Sequence, residues 1–293
     1  MSDGHTPLDS PALTIAIAAL GGVTAQIVGR HTGLPGIVLL LTAGVVLGPD
    51  VLNLVRPEQL GDALQTLVGF AVAVILFEGG LALDLGRLRR AQKPVRRLVT
   101  IGALVTLILG TGVAYLATGW PLRVCFLFGT LIIVTGPTVV TPLLRRLQVE
   151  PKTATVLEAE GVLIDAVGAV TAAVALEAAL QPSTENAIGA LVDLGSTLAF
   201  GLVAGLIAGG ILSFMFQSRR AIPDGLENIF ALVFVLALFQ VTNAVFHESG
   251  VAAVTAAGVV LARTQLPVRQ DLHHFKEQLT AMFIGLLFVL LAA

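Results

Sequence analysis

The sequence contains very little charge. Only 12% of its 293 residues are charged, whereas 56% are hydrophobic, and the mean hydropathy is +0.92. A soluble globular domain has about 25% charged residues. Soluble enzymes and nucleic-acid-binding domains are therefore excluded, and the composition predicts an all-α polytopic membrane protein.

Cysteine is almost absent as well. Cys125 is the single cysteine, so the chain can form neither an intrachain disulfide nor a cluster of thiolate metal ligands. We expect no cofactor. The leader MSDGHTPLDSP lacks the basic residues of a cleaved signal peptide, so the first apolar run is predicted to be a transmembrane helix.

Long apolar runs are the main feature that the sequence does contain. Runs of about 20 residues recur, and each can cross a hydrocarbon layer of about 30 Å as a helix. Together they predict a single transmembrane domain over residues 1–293. The ten predicted spans are 12–29, 35–55, 63–84, 98–118, 122–147, 153–180, 188–216, 226–246, 249–264 and 274–293.

Basic residues fall in alternate connections between these spans. Of the 17 lysines and arginines, only Arg56 and Arg123 lie in the other set of connections. The positive-inside rule then predicts that the N-terminus lies outside. We expect an integral multi-pass protein of the cell (inner) membrane. The densest basic run, 87–97, could also bind anionic lipid or nucleic acid. It lies in the same alternating set of connections as the other basic residues, however, so we favour its interpretation as a signal of membrane orientation.

Span five contains helix-breaking residues within the apolar sequence VCFLFGTLIIVTGPTVVTPLL. Pro137 and Pro142 each lack a backbone donor and Gly136 adds backbone freedom, so we predict a broken helix at Thr135-Gly136-Pro137. Unwound backbone at membrane depth forms ion sites in transporters. An ordinary proline kink explains the same residues equally well.

Span six contains a carboxylate deep in apolar sequence. Asp165 lies about 20 Å along the predicted helix, near the bilayer midplane. An isolated carboxylate there costs at least ~2.5 kcal/mol, so such a residue usually marks an ion or proton path. The alternative, a structural ion pair, is weaker because no Lys or Arg lies at that depth in the predicted spans.

Three further acidic residues are candidates for the same region. Glu158 shares the helical face of Asp165, whereas Glu160 is rotated by about 140° toward a neighbouring helix. Either could guide cations, or could merely lie near the helix start as a cap. Glu78, in span three, could be a supporting polar partner of span six.

Several segments together resemble the sodium/proton exchanger branch of the monovalent cation:proton antiporter superfamily. They are LPGIVLLLTAGVVLGP, FEGGLALDL, LEAEGVLIDAVGAV and HESGVAAVTAAGVVLAR. The resemblance places Glu160 on the family's helix-six glutamate and Asp165 on its essential aspartate. Gly136 and Asp165 are 29 residues apart, the usual spacing of the family's two acidic positions. The resemblance implies an inverted-repeat antiporter fold with a broken helix five.

Two positions differ from the family pattern. Thr135-Gly136-Pro137 replaces Thr-Asp-Pro, and Ile164-Asp165 replaces Asn-Asp. With Asp165 as the single central carboxylate, the resemblance implies exchange of one proton for one cation, and thus electroneutral transport. The family's second broken helix is not reached by residue 293, and the chain stops inside an apolar run, so we expect the last helices to be missing.

These features predict an antiporter, not an enzyme, that exchanges Na⁺ or K⁺ for H⁺ and serves pH homeostasis. Asp165, Thr135, Gly136 and Glu160 are the predicted ion- and proton-binding residues, with Asp165 and Thr135 as ligands of the monovalent cation. The expected partners are the cation, the proton, the lipid bilayer and a second copy in a homodimer. Two alternatives stay open: a sodium-coupled organic-anion symporter of related fold, and a non-transporting membrane subunit or fragment.

Overall fold

All regular structure in the described part of the chain is helical. The computed structural model describes residues 10–83, 86, 91–136, 140, 143–144, 147, 149–180, 187–217, 222–223, 226–263 and 269–293. Ten helices there correspond in order to the ten predicted spans: α1 Pro11–Thr32, α2 Gly36–Leu47, α3 Asp62–Ala82, α4 Gln92–Thr118, α5 Leu122–Ile133, α6 Pro151–Leu180, α7 Ala187–Gln217, α8 Glu227–Val245, α9 Ser249–Ala262 and α10 Arg269–Ala292. The predicted all-α polytopic membrane fold is confirmed.

Six of the helices are long and apolar enough to cross a membrane, counted over the described residues. They are α1, α3, α4, α6, α7 and α8. The others contain shorter apolar segments of 10–17 residues. Large apolar side chains cover the outside of several helices, as on α4, where Ile101, Ile108 and Leu109 are about 60% exposed. Such a surface suits contact with lipid.

Apart from the break in span five, the predicted boundaries that differ most from the structure are the end of span two and the start of span four. Span two is predicted to reach residue 55, but α2 ends at Leu47, because Gly48 takes an extended conformation before Pro49. Span four is predicted to begin at residue 98, but α4 begins at Gln92 and includes a π-helical turn, Leu98–Gly102. An apolar run shows which part of a helix lies in the membrane, but not where the helix begins. The basic first turns of α4 are therefore missed by the hydropathy pattern.

The first of two compact units consists of Met1–Ile75 and Val268–Ala293. In it α1, α2 and α10 pack closely. Gly22 and Gly285 place the backbones of α1 and α10 so near that a Cβ atom on Gly22 would lie 2.5 Å from the carbonyl carbon of Gly285. The side chain of Gln26 donates to the carbonyl oxygen of Ala281 at 2.6 Å, which satisfies a polar group between the helices.

The second unit is Leu76–Pro267. Its most closely packed pair is α7 and α9, where glycines at four-residue spacing on α7 contact small residues of α9. A Cβ atom on Gly209 would lie 2.9 Å from the Cα atom of Ala257, and one on Gly205 would overlap the carbonyl oxygen of Ala253. The small residues of α9 thus permit the close approach of α7.

Candidate functional site

The helix break in span five is present. Helix α5 ends at Ile133, Val134 is extended (φ −70°, ψ 123°), and residues 134–136 are not helical. Helical bonding resumes where the Val140 amide donates to the carbonyl oxygen of Gly136 at 3.2 Å. Pro137 and Pro142 lie outside the described residues. The predicted unwinding at Thr135-Gly136 is therefore observed on its α5 side.

A side-chain hydrogen bond joins this break to α6. The Thr135 hydroxyl lies 2.9 Å from both Oε1 and Oε2 of Glu160 and donates its proton to that carboxylate. Glu160 is half-buried, and Thr135 is exposed. Two residues that the sequence selects independently, one at the break and one on span six, are thus in direct contact.

A second contact holds the extended segment against α6. Gly168 lies so close to Val134 that a Cβ atom on the glycine would overlap the Val134 side chain. Glu160 and Gly168 are eight residues apart, about 12 Å along the helix. The segment 134–135 therefore meets α6 over slightly more than two turns.

Asp165 lies between these two contacts along the α6 axis. Its side chain is half-buried, and no hydrogen bond or ion pair joins it to any residue within the described ranges. At about 100° per residue it is turned about 60° from Gly168 and about 140° from Glu160. The structure places Asp165 at the level of the break, on the flank of the face that contacts it.

The other two candidate acids do not lie between these two contacts. Glu158 is half-buried on α6, about 10 Å before Asp165 and on the same face. Glu78 is half-buried on α3, next to Phe77, whose carbonyl oxygen packs against Gly258 of α9. The supporting roles of Glu78 and Glu158 stay predictions.

No cluster of three or more His, Cys, Asp or Glu side chains suited to a metal ion occurs among the described residues. The oxygens that surround the break are of another kind: a hydroxyl, a carboxylate and the carbonyl groups of unwound backbone. Unwound carbonyls are the groups that coordinate Na⁺ in broken-helix transporters. The site can therefore suit a monovalent cation without such a cluster.

Sequence reasoning missed Gly168 and Val134. The available signal is a glycine within a helix that is otherwise rich in Ala and Val, because a glycine in such a place often permits close backbone approach. Gly168 lies three residues after Asp165, so its contact with Val134 sets the distance between the helical turn that contains Asp165 and the break.

The chain matches one known protein family over most of its length. Residues 15–293 match the family described as sodium/hydrogen exchanger, transmembrane. The chain is 24% identical over 293 residues to the probable Na(+)/H(+) antiporter 2 of Methanocaldococcus jannaschii, covering 95% of this chain and 68% of that protein. It is 29% identical over 190 residues to Na(+)/H(+) antiporter 1 of the same organism, covering 64% and 43%.

The fold is similar to a solved antiporter structure. The sodium proton antiporter MjNhaP1 from Methanocaldococcus jannaschii at pH 8 superposes with a TM-score of 0.82 at 24% identity, over 95% of this chain and 69% of that one. The antiporter fold is confirmed, and the matched family consists of transporters, not enzymes. Because the family match runs from residue 15 to residue 293, the chain belongs to the sodium/hydrogen exchanger family.

Proposed function

We propose that this protein exchanges Na⁺ or K⁺ for H⁺ across the cell membrane by alternating access, and that Asp165 binds the proton and the cation in turn. The observation that carries the proposal is the contact of the Thr135 hydroxyl with Glu160. It ties the unwound end of α5 to the helix that contains Asp165, in a chain of the sodium/hydrogen exchanger family.

The groups at the break can complete a cation shell around Asp165. An ionised carboxylate supplies the charge, and the carbonyl oxygens of Val134 and Thr135 supply neutral ligands. The carbonyl oxygen of Gly136, which also accepts the Val140 amide, adds a third through its second lone pair. The Thr135 hydroxyl uses its proton toward Glu160, so its oxygen lone pairs remain available to accept a cation. Glu160 thereby orients the Thr135 hydroxyl oxygen toward the cation, and the carboxylate oxygens of Glu160 can still accept further hydrogen bonds.

Proton and cation compete for the same negative charge. Protonation or cation binding each neutralises Asp165, and an unneutralised carboxylate at membrane depth costs at least ~2.5 kcal/mol. The carboxylate therefore changes its exposure between the two sides only when it is occupied by one or the other. One positive charge moves in each direction, so the exchange is electroneutral.

The two contacts between the break and α6 support movement of these elements as one body. The bond of Thr135 to Glu160 and the packing of Val134 on Gly168 hold α5 and α6 together. In the proposal this pair moves with the ion site against a scaffold of the other helices, and a second copy binds through that scaffold. The N-terminus lies outside, and the basic connections lie in the cytoplasm.

Purified protein in proteoliposomes with a trapped pH-sensitive dye tests the proposal. After a proton gradient is imposed, addition of Na⁺, K⁺ or Li⁺ is expected to dissipate it, and choline serves as the inert control cation. Electroneutral exchange predicts the same rate whether or not the membrane potential is clamped to zero. Dissipation by no alkali cation, or only by Na⁺ together with an organic anion, would overturn the assignment.

A further inference from the structure

The start of α4 is a basic segment whose cations have no acidic partners nearby in sequence. Residues 87–97 contain six Lys and Arg and no Asp or Glu. Within the described part of this run, Lys93, Arg96 and Arg97 are all exposed, and no described residue forms an ion pair with them. We call residues 92–97 the basic segment.

This basic segment continues directly into an apolar outer surface. After it, the π-helical turn Leu98–Gly102 leads into the rest of α4. Leu98, Ile101 and Leu104 expose 39%, 61% and 55% of their surface. The cations therefore lie where a surface suited to acyl chains begins, which is the depth at which lipid phosphate groups lie.

The opposite face of the basic segment is packed against α6. Ala91 and Val95 are each 4% exposed, and they form one buried cluster with Ala159 and Val162, which are 0% and 2% exposed. These two α6 residues lie on either side of Glu160 in sequence. A ligand bound to the outer face of the basic segment therefore contacts a helix turn whose other face packs against the cytoplasmic half of α6.

We infer that the basic segment binds the headgroups of anionic phospholipids, and that the bound lipid stabilises the packing of Val95 on α6. Charge complementarity carries the inference, because three exposed cations adjoin a surface that faces lipid chains. Each basic residue near an anionic membrane surface strengthens binding by roughly fivefold. Phosphate borne by lipid is selected over soluble phosphate because the adjoining apolar surface also contacts the chains.

Native mass spectrometry of the detergent-purified protein tests this binding with phosphatidylglycerol and phosphatidylcholine as probes. The patch variant is Arg96→Gln/Arg97→Gln. The matched control is Arg30→Gln/Arg263→Gln, which removes two exposed arginines from connections of the same predicted side. We expect phosphatidylglycerol adducts on the wild type and on the control, and affinity roughly 25-fold weaker on the patch variant.

Equal retention of the two lipids by the wild type, or equal retention of phosphatidylglycerol by both variants, would overturn the inference. Displacement of the lipid by inorganic phosphate or by a short oligonucleotide at similar concentration would also overturn it. A second readout is thermal unfolding. Phosphatidylglycerol should raise the Tm of the wild type and of the control more than that of the patch variant. Neither measurement requires transport, so a failure here is distinct from a failure of the proposed exchange.

Discussion

The hydroxyl of Thr135 lies 2.9 Å from both carboxylate oxygens of Glu160, and this contact joins the unwound end of α5 to α6. The hydroxyl has a single proton to donate, so the carboxylate keeps further acceptor capacity. The contact fixes the orientation of Thr135 and, through it, the carbonyl groups of the break.

Replacement of Thr135 by Val should weaken cation binding. A hydrogen bond to a charged group contributes about 1.5–3 kcal/mol, so its loss should raise the apparent KM for the cation by roughly tenfold or more, measured from dye-reported exchange. The matched control is Thr130→Val, since among the described residues the Thr130 hydroxyl bonds only the Leu127 carbonyl oxygen of its own helix. Equal KM changes in both variants would argue against a role of Thr135 at the ion.

Gly168→Ala should separate the break from α6. The added methyl group would overlap the Val134 side chain, and overpacking of this kind costs about 1–3 kcal/mol. We expect slower exchange and a lower Tm of the purified protein. The double variant Val134→Ala/Gly168→Ala should recover both, because the smaller side chain makes room.

A control for that series is Gly210→Ala on α7, where an added Cβ atom would meet nothing within 4 Å. It should exchange and unfold as the wild type does. If Gly210→Ala lowers the rate as much as Gly168→Ala, or if the double variant shows no recovery, the contact of Gly168 with Val134 is not the cause.

Gly205→Ala should destabilise the second unit without altering the proposed ion site. Its methyl group would overlap the carbonyl oxygen of Ala253 on α9, and the helices must separate to admit it. A loss of about 1–3 kcal/mol is expected, read as a lower Tm in detergent. The fraction that remains folded should keep the wild-type KM for the cation, whereas a changed KM would mean that this helix pair contributes to ion binding.

Competition at one carboxylate predicts a simple pH dependence. Where Asp165 is mostly protonated, each tenfold increase in proton concentration should raise the apparent KM for the cation by up to tenfold and leave the maximal rate unchanged, because the two ligands exclude each other. Initial rates over a grid of cation concentration and pH measure this. A maximal rate that falls with acidity at constant KM would instead indicate separate sites.

Much of the fold can be predicted from the sequence because the membrane imposes it. Apolar length and the alternation of basic connections place ten helices in the correct order, and the Gly-Pro pair at residues 136–137 places the break. The end of α2 and the start of α4 are mispredicted, because a hydropathy pattern shows which residues lie in the apolar layer and not which ones form helical hydrogen bonds. Gly48 and the basic segment determine those two boundaries.

The candidate site is only partly predictable. Asp165 and Thr135 stand out because a carboxylate and a helix break are costly at membrane depth. The bond between Thr135 and Glu160 does not stand out, because it depends on how two helices pack and not on periodicity along either one. The contact between Gly168 and Val134 likewise depends on how the break packs against α6, and only the structure reveals it.

The central claim is that Asp165 binds the proton and the cation alternately. The most direct measurement compares Asp165→Asn with Glu158→Gln, which removes a carboxylate from the same face of α6, in the dye-loaded proteoliposomes. We predict that Asp165→Asn abolishes cation-dependent dissipation of the proton gradient, while Glu158→Gln retains exchange with at most a modest rise in KM. Exchange at the wild-type rate by a folded Asp165→Asn protein would contradict the account.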